Sequence, residues 1–502
     1  MANLKSLAKD TAIYGISSIF GKFLNYLLVP LYTAKLSAES GGYGVITNVY
    51  ALTAFLFVLL TYGMETGFFR FVNKPGTDPT RVYSTILLSV ITTSFLFALI
   101  VLTNLDIVAG WLGYGEHPEY IGIMAVVVAL DAIQSIPFDR LRQQGKAVKF
   151  ALLKLLFIVM SIGLNLLYFV AFPALYKDYP DVVGTFYNPG VGVGYAFGIN
   201  LVCTSSITVL FWPEFTGFRY KFDFKLWKQI MKYSFPMLIL GIVGILNQTI
   251  DKIIFPFVYD GPEQLARAEL GIYGAASKIA MVMAMLMQAF RFAYEPFVFG
   301  NAAEKDNRRM YAQAMKYFII FSLMAFLAVM FYLDLLRYII APGYWEGLRV
   351  VPIVMVAEIF MGIYFNLSFW YKLTDQTSYG AWFSLAGCIA IVLLNIFLIP
   401  VYGYMACAWA GVAGYGICML LSYFIGQKKY PIHYDLRSIA RYVSLAIVLY
   451  FVSTLIPAHW DLFLKLGVNT LLMGVFVAYT IKHDFPLSQL PVVGKWFKGK
   501  EQ

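Results

Sequence analysis

The sequence predicts an all-α polytopic membrane protein. Three observations carry this: 60% of the 502 residues are apolar, only 13% are charged, and the apolar residues fall in long blocks. That charged share is about half the usual one for a soluble domain, and a soluble fold has no way to cover so much apolar surface. Disorder is excluded by the 18% aromatic content. The blocks run apolar without period-2 alternation, which excludes a transmembrane β-barrel.

A spanning helix needs about 20 mostly apolar residues. Fourteen blocks meet that need, near 10–34, 43–69, 82–103, 119–138, 148–173, 190–213, 233–257, 270–299, 311–333, 348–371, 378–400, 403–426, 438–456 and 463–481. The first follows Lys5 and Lys9 and has no small-residue cleavage exit, so it is expected to stay as an uncleaved first span.

Basic residues give the direction. With both termini on the cytoplasmic side, 27 of the 38 Lys and Arg fall on the inner loops and tails, six on the outer loops and five within spans. A missed or extra helix would scramble this alternation downstream, so it supports the count of fourteen. The net charge of +10 is therefore topological, facing anionic membrane lipid, and no nucleic-acid partner is expected.

Enzyme signatures are missing. The chain has no Walker A loop, no G-x-S-x-G and no H-E-x-x-H. The four cysteines (Cys203, Cys388, Cys407 and Cys418) make no CxxC pair and no Cys/His cluster. No catalytic residue, metal site or cofactor is expected, and the chain is not expected to be an enzyme.

The chain also repeats itself. Tyr43-Gly44, Glu65 and Phe69 recur 230 residues later as Tyr273-Gly274, Glu295 and Phe299. An offset of 226 sets Asn25 and Pro30 on Asp251 and Pro256, and 228 sets Arg81 and Tyr83 on Arg309 and Tyr311. At 232, Arg140-Leu141 and Gln144 fall on Lys372-Leu373 and Gln376, and at 230 Leu164-Asn165 falls on Leu394-Asn395. A nearly constant offset over so long a stretch marks two copies of one six-helix unit. Six is even, so the copies run parallel, related by an axis along the membrane normal. The expected domains are 1–218 (spans 1–6), 219–430 (spans 7–12) and 431–502 (an appended helix pair with a basic tail). Two such lobes favour a transporter with its path between them, working by alternating access.

Ionisable groups within the spans mark candidate sites, because each costs about 2.5–3.5 kcal/mol there. They are Lys22, Glu65, Asp131, Lys154, Asp251, Lys252, Lys278, Arg291, Glu295 and Glu358. Lys22 lies about 18 Å along span 1, near mid-membrane, and shares a face with Ser18 and Asn25. It reads as a phosphate contact or as the partner of a carboxylate such as Asp251. Asn247 and Asp251 are one turn apart on span 7, suited to a coupling cation or proton, or to hydrogen bonds between lobes. Lys252 leaves the helix about 100° from Asp251, so the two need not pair. Lys278 and Arg291 stand about 20 Å apart on span 8, at depths that suit a travelling anion; Glu295, one turn past Arg291, offers an internal ion pair instead. Glu65 is expected to pair with Arg70 at the cytoplasmic edge and Lys154 to reach the inner surface; Glu358 is expected to be a protonatable coupling site, with Glu65 and Glu295 as further ion-coupling candidates beside Asp251 and Asn247.

The opening Leu7-Ala8-Lys9-Asp10-Thr11 through Gly15, together with Pro30-Leu31-Tyr32, Gly42-Tyr43-Gly44, Arg140-Leu-Arg142 with Gly145 and Leu164-Asn165, completes a layout of six, six and two spans. Over essentially the whole chain this resembles the polysaccharide-exporter branch of the multidrug/oligosaccharidyl-lipid/polysaccharide (MOP) exporter superfamily. The resemblance implies a bacterial inner-membrane flippase, like O-antigen and lipid II flippases. Such proteins move an undecaprenyl-pyrophosphate-linked oligosaccharide from the cytoplasmic to the periplasmic leaflet, with H+ or Na+ as coupling ion. It also implies a cationic cavity on spans 1, 2 and 8, with Lys22, Lys278 and Arg291 at comparable stretches. Arg70 departs from that pattern, lying at the end of span 2. Other polysaccharide-assembly proteins are the partners it suggests, and a monomer is the default for one pseudo-symmetric chain. A cation-coupled multidrug antiporter of the same fold is the alternative reading; a glycan ligase or polymerase is disfavoured by outer loops of only about 17 residues.

Overall fold

The structure, a computed structural model, describes residues 26–300, 307–457 and 459–484, without the side chains of 292–300 and 307. The described residues are helical throughout their ordered elements. In chain order these are α1 (Leu28–Lys35), α2 (Gly42–Val72), α3 (Pro79–Thr103), α4 (Pro118–Gln143), α5 (Ala147–Asp178), α6 (Gly194–Leu210) and α7 (Phe224–Val258). There follow α8 (Glu263–Gly300), α9 (Asn307–Phe331), α10 (Pro342–Leu373), α11 (Ser378–Tyr402), α12 (Tyr404–Lys429), α13 (Leu436–Thr454) and α14 (Leu462–His483).

Twelve of these are long and apolar enough to cross a membrane, and they match twelve of the fourteen expected spans. The sixth expected span is α6, apolar but only 17 residues long. Most of the first expected span lies outside the described residues, with α1 as its described end. Large apolar side chains such as Phe95, Ile100, Val148, Leu152, Val159 and Phe463 stand exposed on α3, α5 and α14, as lipid-facing positions should.

Local chemistry sets the helix starts. Asp78 accepts from the Thr80 amide at 2.9 Å with Pro79 at the first helical position of α3. Asp223 accepts from the amides of Lys225 and Leu226 at 3.0 and 3.1 Å to open α7, and pairs with Arg81 at 2.7 Å. Those amides and the Arg81 charge hold its carboxyl below the usual range. Asp435 and Asp461 open α13 and α14 in the same way. Threonine hydroxyls within spans bond back one turn, as Thr53 does to the Val49 carbonyl at 2.8 Å, so their polarity is met inside the helix.

The chain forms two compact units. The first comprises residues up to Ala275 with Cys388–Ala410. Within it α4 is the hub, packed on α2, α3, α5 and α6, with two thirds of its apolar window buried against about a fifth in α5. α2 breaks at Tyr62-Gly63, where Gly63 has φ +74° and a Cβ would sit 2.6 Å from the Ser234 carbonyl oxygen of α7. Only glycine allows both that conformation and that approach. Nearer the start of α2, a Cβ on Gly44 would overlap the Arg267 carbonyl of α8, and one on Gly271 would sit 2.9 Å from the Gly44 amide nitrogen. The two backbones touch.

The second unit comprises Ala276–Gly387 with residues from Gly411 onward. Here α9 is the hub, packed on α10, α13 and α14. The last two helices are fastened to it at both ends. At one end Asp484 takes Lys316 of α9 and accepts from the Tyr442 hydroxyl of α13 at 2.6 Å. Burial raises the Asp484 carboxyl, but the hydrogen bonds from Lys316 and Tyr442 and the Lys316 charge outweigh it and leave it lowered. At the other end Asn469 donates to the Phe331 carbonyl at 2.8 Å, and Tyr332 pairs with Thr470 at 2.8 Å.

Candidate functional site

Two polar constellations emerge, one in each unit. In the first unit, Pro256 interrupts α7. Proline has no N–H, so the Lys252 carbonyl one turn back loses its intrahelical donor. Asn48 of α2 supplies one, its amide donating to Lys252 O at 2.7 Å and to Ile253 O at 3.3 Å. The Tyr114 hydroxyl holds Asn48 in that pose by donating to its side-chain oxygen at 2.8 Å. On the same turn of α7, the buried Asp251 carboxylate receives Lys252 Nζ at 3.0 Å on both oxygens and the Tyr273 hydroxyl of α8 at 2.7 Å. The ammonium also meets the Gln248 carbonyl at 3.1 Å and lies 5.3 Å from the Tyr273 ring centre.

This corrects one expectation. Lys252 does bond to Asp251, because its four-carbon stem swings the ammonium back across the 100° between the two Cα–Cβ directions. The Asp251 site thus carries its own internal cation. Asn247, one turn before it, is also buried.

The second unit holds a cleft lined by Met287, Phe290 and Arg291 of α8, Phe318 of α9, and Gly362, Phe365, Asn366, Phe369 and Lys372 of α10. It encloses about 290 Å³, open solvent at its mouth included. Arg291 is exposed, its guanidinium 5.2 Å from the Phe365 ring centre, and Lys372 Nζ stands 5.1 Å from that of Phe369. Two cations over aromatic faces in an apolar wall make an anion-binding setting. The Asn366 amide nitrogen donates to the Gly362 carbonyl at 3.0 Å, while its buried side-chain oxygen has no partner among the described residues.

The remaining candidates fall as follows. Lys22 and Asn25 lie outside the described residues, as does the Glu295 side chain. Lys278 and Glu358 are half-buried, on α8 and α10 of the second unit. Glu65 pairs with Arg142 at 2.8 Å and not with Arg70, which stacks on Tyr233 at 4.1 Å. Arg142 also reaches Asp139 at 3.3 Å. Asp131 accepts from Thr204 at 3.3 Å, and Lys154 Nζ sits 4.0 Å from the Phe138 ring centre. Among the described residues no group of three or more His, Cys, Asp or Glu could hold a metal ion.

Sequence reasoning missed Lys372, Asn366, Tyr273 and Asn48. Lys372 carried a signal, since the 232 offset places it on Arg140, whose guanidinium lies 4.2 Å from the Tyr83 ring centre. Asn48, Tyr273 and Asn366 are neutral and escaped a search for charge.

The fold is shared with known transporters. A lipid II flippase, MurJ, in an inward closed conformation superposes with TM-score 0.71 at 14% identity, over 93% of this chain and 98% of that one. An inward-facing multidrug resistance MATE family transporter of the MOP superfamily gives 0.61 at 12% identity, over 81% and 93%. The MATE multidrug transporter DinF-BH gives 0.59 at 16%, over 86% and 97%. No match is found among curated proteins. The family model described as polysaccharide biosynthesis protein matches residues 7–293, more than half of the chain. With a MOP-type transporter fold and that match, the chain is a multi-pass membrane protein belonging to the polysaccharide biosynthesis protein family.

Proposed function

We propose that this protein is a flippase for an undecaprenyl-pyrophosphate-linked oligosaccharide, moving it from the cytoplasmic to the periplasmic leaflet for export of surface polysaccharide. It sits in the bacterial inner membrane with both termini cytoplasmic, and its six-helix halves, 1–218 and 219–430, exchange access, coupled to H+ or Na+. The observation that carries this reading is the cleft where Arg291 and Lys372 meet a phenylalanine wall within an apolar helical fold. A pyrophosphate needs opposite charge to leave water, because its ionised oxygens are costly to desolvate unpaired. An exporter of cationic drugs calls for acidic groups there instead, and among the described residues none lines the cleft. Family membership supports the sugar half of the substrate.

The test is complementation of a flippase-deficient strain at native expression. Lys22→Ala, Lys278→Ala and Arg291→Gln are each expected to leave lipid-linked oligosaccharide on the cytoplasmic leaflet and to cut surface polysaccharide severalfold. Wild-type export in all three would sink the reading.

A further inference from the structure

The two repeats treat one position differently. The 232 offset sets Gln134 of α4 on Asn366 of α10, and Arg140 on Lys372. In the first unit this position is closed. Gln134 donates to the Thr204 carbonyl at 2.9 Å and to the Thr208 hydroxyl at 2.7 Å. Arg140 lies over Tyr83 and donates to the Glu214 carbonyl at 3.3 Å. In the second unit the same two positions line an open cleft, and Asn366 presents a buried acceptor oxygen with no protein donor among the described residues. A buried acceptor left unmet costs about 1–3 kcal/mol, and a turn of the Asn366 side chain toward the cleft it lines would let a donor from outside meet it.

Three kinds of recognition thus converge on one wall. Arg291 and Lys372 suit an anion. Asn366 Oδ1 accepts a hydroxyl proton. Phe365, half-buried on the same wall, adds an apolar ring surface. We infer that the cleft reads a glycosyl phosphate: the phosphate lies between Arg291 and Lys372, and the sugar attached to it donates a hydroxyl hydrogen bond to Asn366 Oδ1. This rests on the flippase reading and narrows it, making Asn366 a specificity-determining residue for the first sugar.

The experiment titrates the full chain in lipid nanodiscs by calorimetry with glucose 1-phosphate, methyl glucoside and inorganic phosphate. Glucose 1-phosphate is expected to bind more tightly than either fragment. Asn366→Leu is expected to weaken it about five- to tenfold, the worth of one hydrogen bond, while inorganic phosphate binding stays unchanged. Lys372→Gln is expected to weaken both. An unchanged affinity of Asn366→Leu for glucose 1-phosphate, or an equal loss for both ligands, overturns the assignment and leaves a site that reads only charge. Gly362→Ala gives a second route should Asn366→Leu fail to fold. Its new methyl overlaps the tip of Phe318 and drives that ring to move within the cleft, so sugar phosphate should lose affinity and phosphate should not. Undecaprenyl phosphoglucose added to the bilayer is expected to compete with glucose 1-phosphate. Retained sugar-phosphate binding without that competition overturns the lipid-linked source, and the flippase reading with it, while the cleft's preference stands.

Discussion

Asn48 of α2 donates to the carbonyl of Lys252 on α7, filling the gap that Pro256 leaves in that helix. Asn48→Leu should orphan this carbonyl and cost about 1–3 kcal/mol, seen as a lower unfolding temperature in detergent. Adding Pro256→Ala returns an N–H to position 256 and should recover most of the loss. A double variant as unstable as the single one would show that Asn48 acts through some other contact.

The Asp251, Lys252 and Tyr273 cluster gives a second expectation. Both ion-pair partners are largely buried, with side chains 11% and 23% exposed. Removing one charge should cost about 3–5 kcal/mol, because the other is left uncompensated. Asp251→Asn is therefore expected to be less stable than Asp251→Asn with Lys252→Gln. Tyr273→Phe removes one hydrogen bond to a charged group and should cost about 1.5–3 kcal/mol. Thermal unfolding of these variants beside the wild type decides the order.

Acid should loosen the start of α7. The folded Asp223 carboxyl lies below its ordinary value of 3.8 because it accepts the Leu226 and Lys225 amides and faces Arg81. Its contribution is complete above the unfolded value and is lost as pH falls through the folded one. Hydrogen exchange at the amides of Lys225 and Leu226, corrected for intrinsic rate, should accelerate below about pH 3.8 in the wild type. Asp223→Asn should abolish that pH dependence.

Lys316 and Asp484 should act as a clasp on the appended pair. Asp484→Asn is expected to raise hydrogen exchange across α13 and α14 and leave α10 unchanged. Lys316→Met with Asp484→Leu should be milder than either single change, since no lone charge stays behind. Exchange that rises equally in α10 would contradict a local clasp.

The spans were legible because hydropathy is additive along the chain, and a twenty-residue apolar block has few alternatives. Gly44 was legible as part of a sequence motif, and it lies where the α2 and α8 backbones touch. Partner choice was not. Glu65 meets Arg142, 77 residues away, and not the nearby Arg70, because neighbours in space are set by which helices pack on α4. Lys252 was misjudged because Cα–Cβ directions do not bound a long flexible side chain. Asn366 was invisible for a different reason: its importance lies in a bond it does not make, and no sequence pattern records that.

The glycine crossing of α2 and α8 has a mechanical consequence. Most helix contacts interlock through side chains, so parting them requires rotamers to rearrange and voids to form. At Gly44 and Gly271 main chain rests on main chain. Such a junction can slide or separate without disturbing any neighbouring torsion, and it can re-form in the same register every time. The Gly44–Gly271 crossing is thus a low-friction seat for α2 on α8.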